Sequence, residues 1–442
     1  MTIVHRRILY IAFFIIFFIS APIVIMLAQG YKFNWNNKSW QKTGVLFLEV
    51  KPEKANIYLN NEFYGEKTST RVKNLLPGKY AIRVEKENYI AWNKNLTIYP
   101  NTTTFAQYIR LFKNDPPTIN ILRDEIILIS EQQKNLIALL AKHLDVYSIY
   151  ILNIENQTID KIIDLNTDPE KIFLSPQGKN ILIQKKDDWT IVDTTTKKIT
   201  ALNNFLTLNI SEPIFDSTNN NILYAISPRG IEKIDLIIPE VSLIQKGDIA
   251  NFYLQNNKLF YVRKKDWNFE LIATNLNSLQ QEEIISSLPN SQKYKFYPAP
   301  DGLINIIDSQ NQILYIFDPA TKIFNDKKTI IPEVKYLNWH SNNSLLFIND
   351  YEIWTYQQQN NKYAKNLITR LSSKINSAIW FTYDTHLLYF TNSGLYITEV
   401  VSDDNNVVKY EKIKTEQNCY LTKNGEKIIW LTNNAIYESE LQ

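Results

Sequence analysis

Four histidines, one cysteine and many scattered carboxylates are the groups in this 442-residue chain that could do chemistry. His5 lies in a short N-terminal tail, and His143, His340 and His386 stand far apart with no second His at ligand spacing, so no metal site is expected. Cys419, alone, can form neither an internal disulfide nor a thiolate cluster. There is no Gly-x-Ser-x-Gly elbow to expose a nucleophile, and no Ser-x-Asp-x-Gly-x-x-Trp box. A carboxylate pair brought together by folding, at the spacing glycoside hydrolysis needs, stays open. No cofactor and no catalytic residue is assigned.

What the sequence does offer is two charged, aromatic tips. Lys185-Lys186-Asp187-Asp188-Trp189 and Lys264-Lys265-Asp266-Trp267 share a pattern, and Asp350-Tyr351-Glu352-Ile353-Trp354 follows in phase. Aromatic platforms flanked by polar groups suit glycans or protein partners. Lys185, Lys186, Trp189, Lys264, Lys265, Trp267 and Trp354 are therefore the candidate partner-binding rim. The bland alternative is a solvated turn whose Trp folds back onto its own repeat.

The elements that must position these residues begin with an anchor. Ile8 to Ala28 carries no charged side chain and as a helix would span roughly 30 Å, the thickness of a bilayer core. Pro22 is expected to kink it slightly. His5, Arg6 and Arg7 precede it, and the positive-inside bias puts residues 1–7 in the cytoplasm and the bulk of the chain outside it. Cleavage as a signal peptide is disfavoured by Pro22 directly after Ala21 and by bulky Met26 before Leu27-Ala28. Residues 29–43 then interleave Tyr31, Phe33, Trp35 and Trp40 with Lys32 and Lys38, which suits headgroup depth as well as an ordinary hairpin.

Residues 44–113 break into short strands of period-two alternation, as in Ile57-Tyr58-Leu59 and Tyr80-Ala81-Ile82-Arg83-Val84, with turns at Asn60-Asn61, Pro77-Gly78 and Pro100-Asn101. Pro52-Glu53-Lys54-Ala55, Ile57 to Asn61, Gly65, Thr68, Leu75 to Tyr80, Asn88-Tyr89 and Trp92 together closely resemble the PEGA domain. The departures are Lys54 for Gly, Asn60-Asn61 for Asp-Gly, Ser69 for Pro and Asn88 for Gly. Asn tolerates the left-handed conformation, so three of the four keep the backbone role. The resemblance implies an extracytoplasmic β-sandwich tied to cell-surface layers and envelope attachment, without catalysis. Pro77-Gly78 is read as a turn, and Tyr89 and Trp92 as packing residues.

After a linker at 114–117, residues 118–442 repeat strand and turn at a period of about 40, matching a four-stranded propeller blade. Turn centres near Lys134, Gly178, Asn220, Asn257, Gly302, Asn343, Thr385 and Gly425 predict eight blades, or seven if the copy around Asn257 is miscounted. The strand after each turn is continuously apolar, as expected of strands covered on both faces. The last repeat has only three strands, and Thr118 to Leu122 has no other home, so the two ends are expected to pair and close the ring. Ser175-Pro176-Gln177-Gly178-Lys179, Pro300-Asp301-Gly302 and Lys423 to Lys427 resemble the turns of TolB-like and WD-like propeller repeats.

The fold class is thus all-β behind one transmembrane helix. A net charge of +3 makes no case for nucleic acid. The partners expected are the membrane and a cell-envelope protein or glycan, with the oligomeric state undetermined. Three functions are consistent with the sequence: a non-enzymatic anchored scaffold, an envelope polysaccharide-acting enzyme with a carboxylate pair in the propeller mouth, and, if the N-terminus is cleaved, a secreted lectin.

Overall fold

The computed structural model describes residues 3–441 except 67–68, 116–117, 120–121, 123, 203–208, 292, 301, 319–326, 342–343, 360–361, 382–384, 401–406 and 411–418. Thr68, linker residues Pro116 and Pro117, Asn120, Ile121, Asp301 and turn centre Asn343 therefore lie outside the described residues. The chain divides into two compact units, in the main residues 3–115 and 118–440.

In the first unit, a helix runs unbroken from Ile3 to Ala28 through Pro22. Its stretch His5–Ala28 is long and apolar enough to cross a membrane, and none of it is covered by protein. A core helix of a soluble domain would be buried; this one presents its apolar surface all round. A short hairpin follows, pairing Tyr31–Asn34 with Ser39–Lys42.

Two sheets then face each other. One orders strands Ser69–Leu75, Gly44–Lys51 and Thr103–Arg110, and the other orders Glu62–Gly65, Asn56–Leu59, Gly78–Glu85 and Trp92–Ile98. Alternation decides which residues meet: Leu46, Leu48 and Val50 point inward against Ile57, Ile82 and Val84, so Phe47 must point out. Trp92 is buried in this core and Tyr89 packs against it, as the sequence pattern implied.

Among the described residues the second unit holds eight four-stranded sheets. Blades 1 to 7 span 125–165, 171–201, 211–246, 249–288, 294–331, 336–370 and 375–410, and blade 8 combines 419–440 with Thr118–Ile119. The second strands are the best covered: Ile304–Asp308, Ser344–Ile348 and His386–Thr391 are buried at every position. Apolar clusters join blade 1 to 2, 2 to 3, 3 to 4, 4 to 5, 5 to 6 and 6 to 7, and another joins blade 8 back to blade 1. Seven of the eight junctions of a ring are filled in this way among the described residues.

The first turns of the blades latch neighbours together. Gly178 sits at φ +71, and a Cβ there would approach Leu136 Cδ1 of blade 1 to 2.7 Å, so both conformation and space favour Gly. Beside it, the Gln177 amide donates to Asn220 Oδ1 at 3.0 Å and Asn180 Nδ2 donates to Asn220 O at 2.9 Å, tying blade 2 to blade 3. Between blades 8 and 1, Lys427 Nζ donates to Gln157 Oε1 at 2.7 Å.

Closure comes from Thr118 opposite Glu438 and Ile119 opposite Tyr437. Removing residues 436–442 deletes the strand that both Lys427–Leu431 and Thr118–Ile119 pair with. The expected outcome is a broad, weakly cooperative thermal transition by circular dichroism. A sharp transition at an unchanged midpoint would contradict closure by this strand.

Candidate functional site

Strands alternate direction within a blade, so every turn between second and third strands opens on one face of the ring. The position of a side chain at these tips is set by the pair that closes the turn. In blade 2 the closing pair is Lys185 with Asp188, and in blade 4 it is Lys265 with Asn268. Trp189 therefore corresponds to Phe269, one residue into the strand, whereas Trp267 corresponds to Asp187 in the turn itself.

The two tryptophans accordingly part company. Trp189 is 4% exposed, packed among Leu182, Ile191 and Phe215 between blades 2 and 3, with its ring 6.1 Å from Phe173. It is withdrawn from the rim and serves the core. Trp267 is 86% exposed at the tip of blade 4. Lys185 is half-buried in the closing pair, and Lys186 is exposed at φ 54 with its carbonyl accepting from Gln184 Nε2.

Lys264 is exposed, but Lys265 is tied back, its Nζ 2.9 Å from Glu270 Oε1. Arg263 lies 3.4 Å from the other oxygen of the same carboxylate and 3.0 Å from Glu282. The Lys265 hydrogen bond, with Arg263 in support, holds Glu270 below the ordinary carboxylate range.

Blade 6 shows a similar division. Trp354 occupies the strand position after the closing pair, opposite Phe347. Its ring stacks on Phe347 at 6.5 Å and 4°, Lys365 Nζ stands 4.3 Å over it, and its indole N–H donates to Glu352 at 2.9 Å. That bond and Arg370 lower the Glu352 pKa, and Lys335 lowers that of Asp350. The outward residue of this tip is Tyr351, 51% exposed. Blade 1 adds Leu144 at its tip, 83% exposed between His143 and Val146. Leu144 was missed because a single apolar residue after a strand carries no sequence signal; the turn position alone marks it.

The remaining histidines stay apart. His143 Nδ1 meets Asp124 at 2.9 Å, His386 is buried beside Thr385, and the His340 ring lies 5.9 Å from Trp380. Among the described residues no three His, Cys, Asp or Glu gather as a metal site. Burial drives the Cys419 thiol pKa well up, which keeps it protonated.

The sandwich carries surfaces that sequence reading did not find. On one outer face Phe47 lies between Arg71 and Phe105 on its two neighbouring strands, with the guanidinium 5.7 Å from the Phe47 ring and the rings 5.9 Å apart. On the other sheet Tyr58 lies between Arg83 and Phe63, at 4.4 Å and 5.7 Å. Phe105 and Phe63 are 62% and 57% exposed. Each row is a cation over an aromatic pair, assembled across strands far apart in sequence.

The turns of this sandwich keep the backbone that the resemblance implies. Lys54, Asn60, Asn61 and Asn88, the residues standing in for expected Gly or Asp-Gly positions, all adopt φ between 50 and 69. The backbone is retained even at Lys54, where no Asn softens the cost. Residues 43–111 match the PEGA domain.

No curated protein matches the chain in sequence. In fold it is similar to a crystal structure of the eukaryotic initiation factor, with TM-score 0.50 and 11% identity over 75% of this chain and 90% of that one. It is also similar to the C-terminal WD40 domain of Sif2, with TM-score 0.49 and 9% identity over 74% of this chain and 98% of that one. At such identities only the fold is in question.

The division of the two tryptophans is directly testable by denaturant unfolding. Trp189→Ala should cost about 3–5 kcal/mol as a buried aromatic truncation. Trp267→Ala should stay within about 0.5 kcal/mol. Equal effects would contradict the assigned register.

Proposed function

We propose that this chain is a non-enzymatic, membrane-anchored binding or scaffold protein of the cell envelope. The N-terminal helix spans the bilayer with residues 1–7 in the cytoplasm, and the PEGA domain and propeller stand outside it. The propeller meets a protein or glycan partner through its tips, Trp267 of blade 4 first with Lys264 close to it in sequence, and Tyr351 of blade 6, Lys186 of blade 2 and Leu144 of blade 1 at the corresponding turns.

The observation that carries this reading is Trp267. A large aromatic ring 86% exposed at the end of a two-residue turn is an unfilled contact, while its counterpart Trp189 is buried. Exposed aromatics on rigid supports are the anchors of binding surfaces. Three carboxylates at these tips favour binding over proton donation for an electrostatic reason. A general acid needs a raised pKa, whereas Lys265 lowers that of Glu270, Lys335 that of Asp350, and the Trp354 indole N–H with Arg370 that of Glu352. The outer rows on the PEGA domain, Arg71 with Phe47 and Phe105 and Arg83 with Tyr58 and Phe63, offer a second contact surface to wall or surface-layer material.

The test uses the full chain in nanodiscs, presented in turn to isolated wall polysaccharide and to envelope protein fractions. Retention of one fraction is expected, weakened about 10-fold or more by Trp267→Ala with Tyr351→Ala. Retention unaffected by the double variant would refute the tip surface. Hydrolysis of the polysaccharide that a single Asp→Asn or Glu→Gln abolishes would refute the non-enzymatic reading.

A further inference from the structure

The hairpin between the helix and the PEGA domain has a position fixed by covalent geometry. Only Gln29 and Gly30 separate the helix end at Ala28 from the first strand at Tyr31. Gln29 and Gly30 still donate to Ile25 O and Leu27 O, and both the amide and the hydroxyl of Thr43 return to Gly30 O, at 2.9 and 2.8 Å. The base of the hairpin is thus pinned at the mouth of the helix. The three Cα steps from Ala28 to Tyr31 reach about 10 Å at most when extended, and the helix-type hydrogen bonds of Gln29 and Gly30 hold them shorter, against a headgroup layer about 5–8 Å deep on each side of a bilayer core. A hairpin starting there has its base inside that layer.

Its chemistry fits the place. Phe33 sits edge-on to both Trp35, at 4.9 Å, and Trp40, at 5.5 Å, and Lys42 lies 5.7 Å from the Tyr31 ring. Trp35 is 82% exposed, yet its turn is ordered: the Asn36 and Asn37 amides donate to Asn34 Oδ1, and Asn34 Nδ2 donates to Gln41. The ring is held outward. Lys32, Lys38 and Lys42 supply positive charge, and the first acidic residue of the whole chain is Glu49. Amphipathic rings with cations and no anions complement an anionic headgroup surface.

We propose that hairpin 31–42 docks on the bilayer its own helix crosses, with Trp35 inserted among anionic lipid headgroups, so that the chain is held by a span and a surface foot together. This rests on the reading of the helix as a membrane span, and the experiment separates the two.

The full chain is reconstituted into phosphatidylcholine vesicles with or without phosphatidylglycerol, carrying bromine either near the headgroup or at the bilayer centre. Shallow bromine should quench tryptophan fluorescence more than deep bromine, and Trp35→Phe should remove about half of the shallow quenching, Trp40 supplying the rest. Replacing Lys32, Lys38 and Lys42 by Gln should reduce it only in the anionic vesicles. Carbonate-resistant chain whose shallow quenching ignores both variants overturns the docked hairpin while leaving the span intact. Chain that carbonate extracts overturns the span and the proposal with it.

Discussion

An array of face-packed four-stranded sheets has two uncovered end faces unless its ends meet, and the pairing of Thr118–Ile119 with Ile436–Glu440 completes the sheet in which they meet. Every blade depends on it. Each sheet buries its two faces only because a neighbour lies on either side, so opening the ring would expose apolar surface and a free strand edge together. The chain has no disulfide to hold it shut, since Cys419 is its single cysteine. Packing and the closing ladder carry that load, helped by side-chain latches such as Gln177 with Asn220 and Lys427 with Gln157.

Much of this was legible because burial leaves a direct imprint on composition. Continuously apolar segments such as Ser344–Ile348 are second strands covered on both faces, and period-two segments such as Gly44–Lys51 are sandwich strands covered on one. The unpaired fourth strand of the last repeat could be anticipated by counting strands. Asn at glycine positions was readable too, because the left-handed backbone constrains residue type locally.

The proposed binding surface was harder to read. Lys-Lys-Asp-Asp-Trp and Lys-Lys-Asp-Trp look alike when their lysines are aligned, but hairpins align on the closing pair, which matches Lys185 with Lys265; that one-residue offset and the extra Asp together shift Trp by two positions, from the tip into the strand. The rows Arg71, Phe47, Phe105 and Arg83, Tyr58, Phe63 were invisible because their members come from strands that only pairing brings together.

The account joins two kinds of hold. In the function proposed, an apolar helix with a charged aromatic hairpin at its exit grips a membrane, while a PEGA domain and a propeller present aromatic groups on stiff turns. Protease applied to sealed, right-side-out membrane vesicles tests this arrangement most directly. The account predicts that cleavage shaves off the propeller and PEGA domain and leaves a protected fragment ending near residue 30. Full protection in these vesicles, with digestion only after they are inverted, would contradict it.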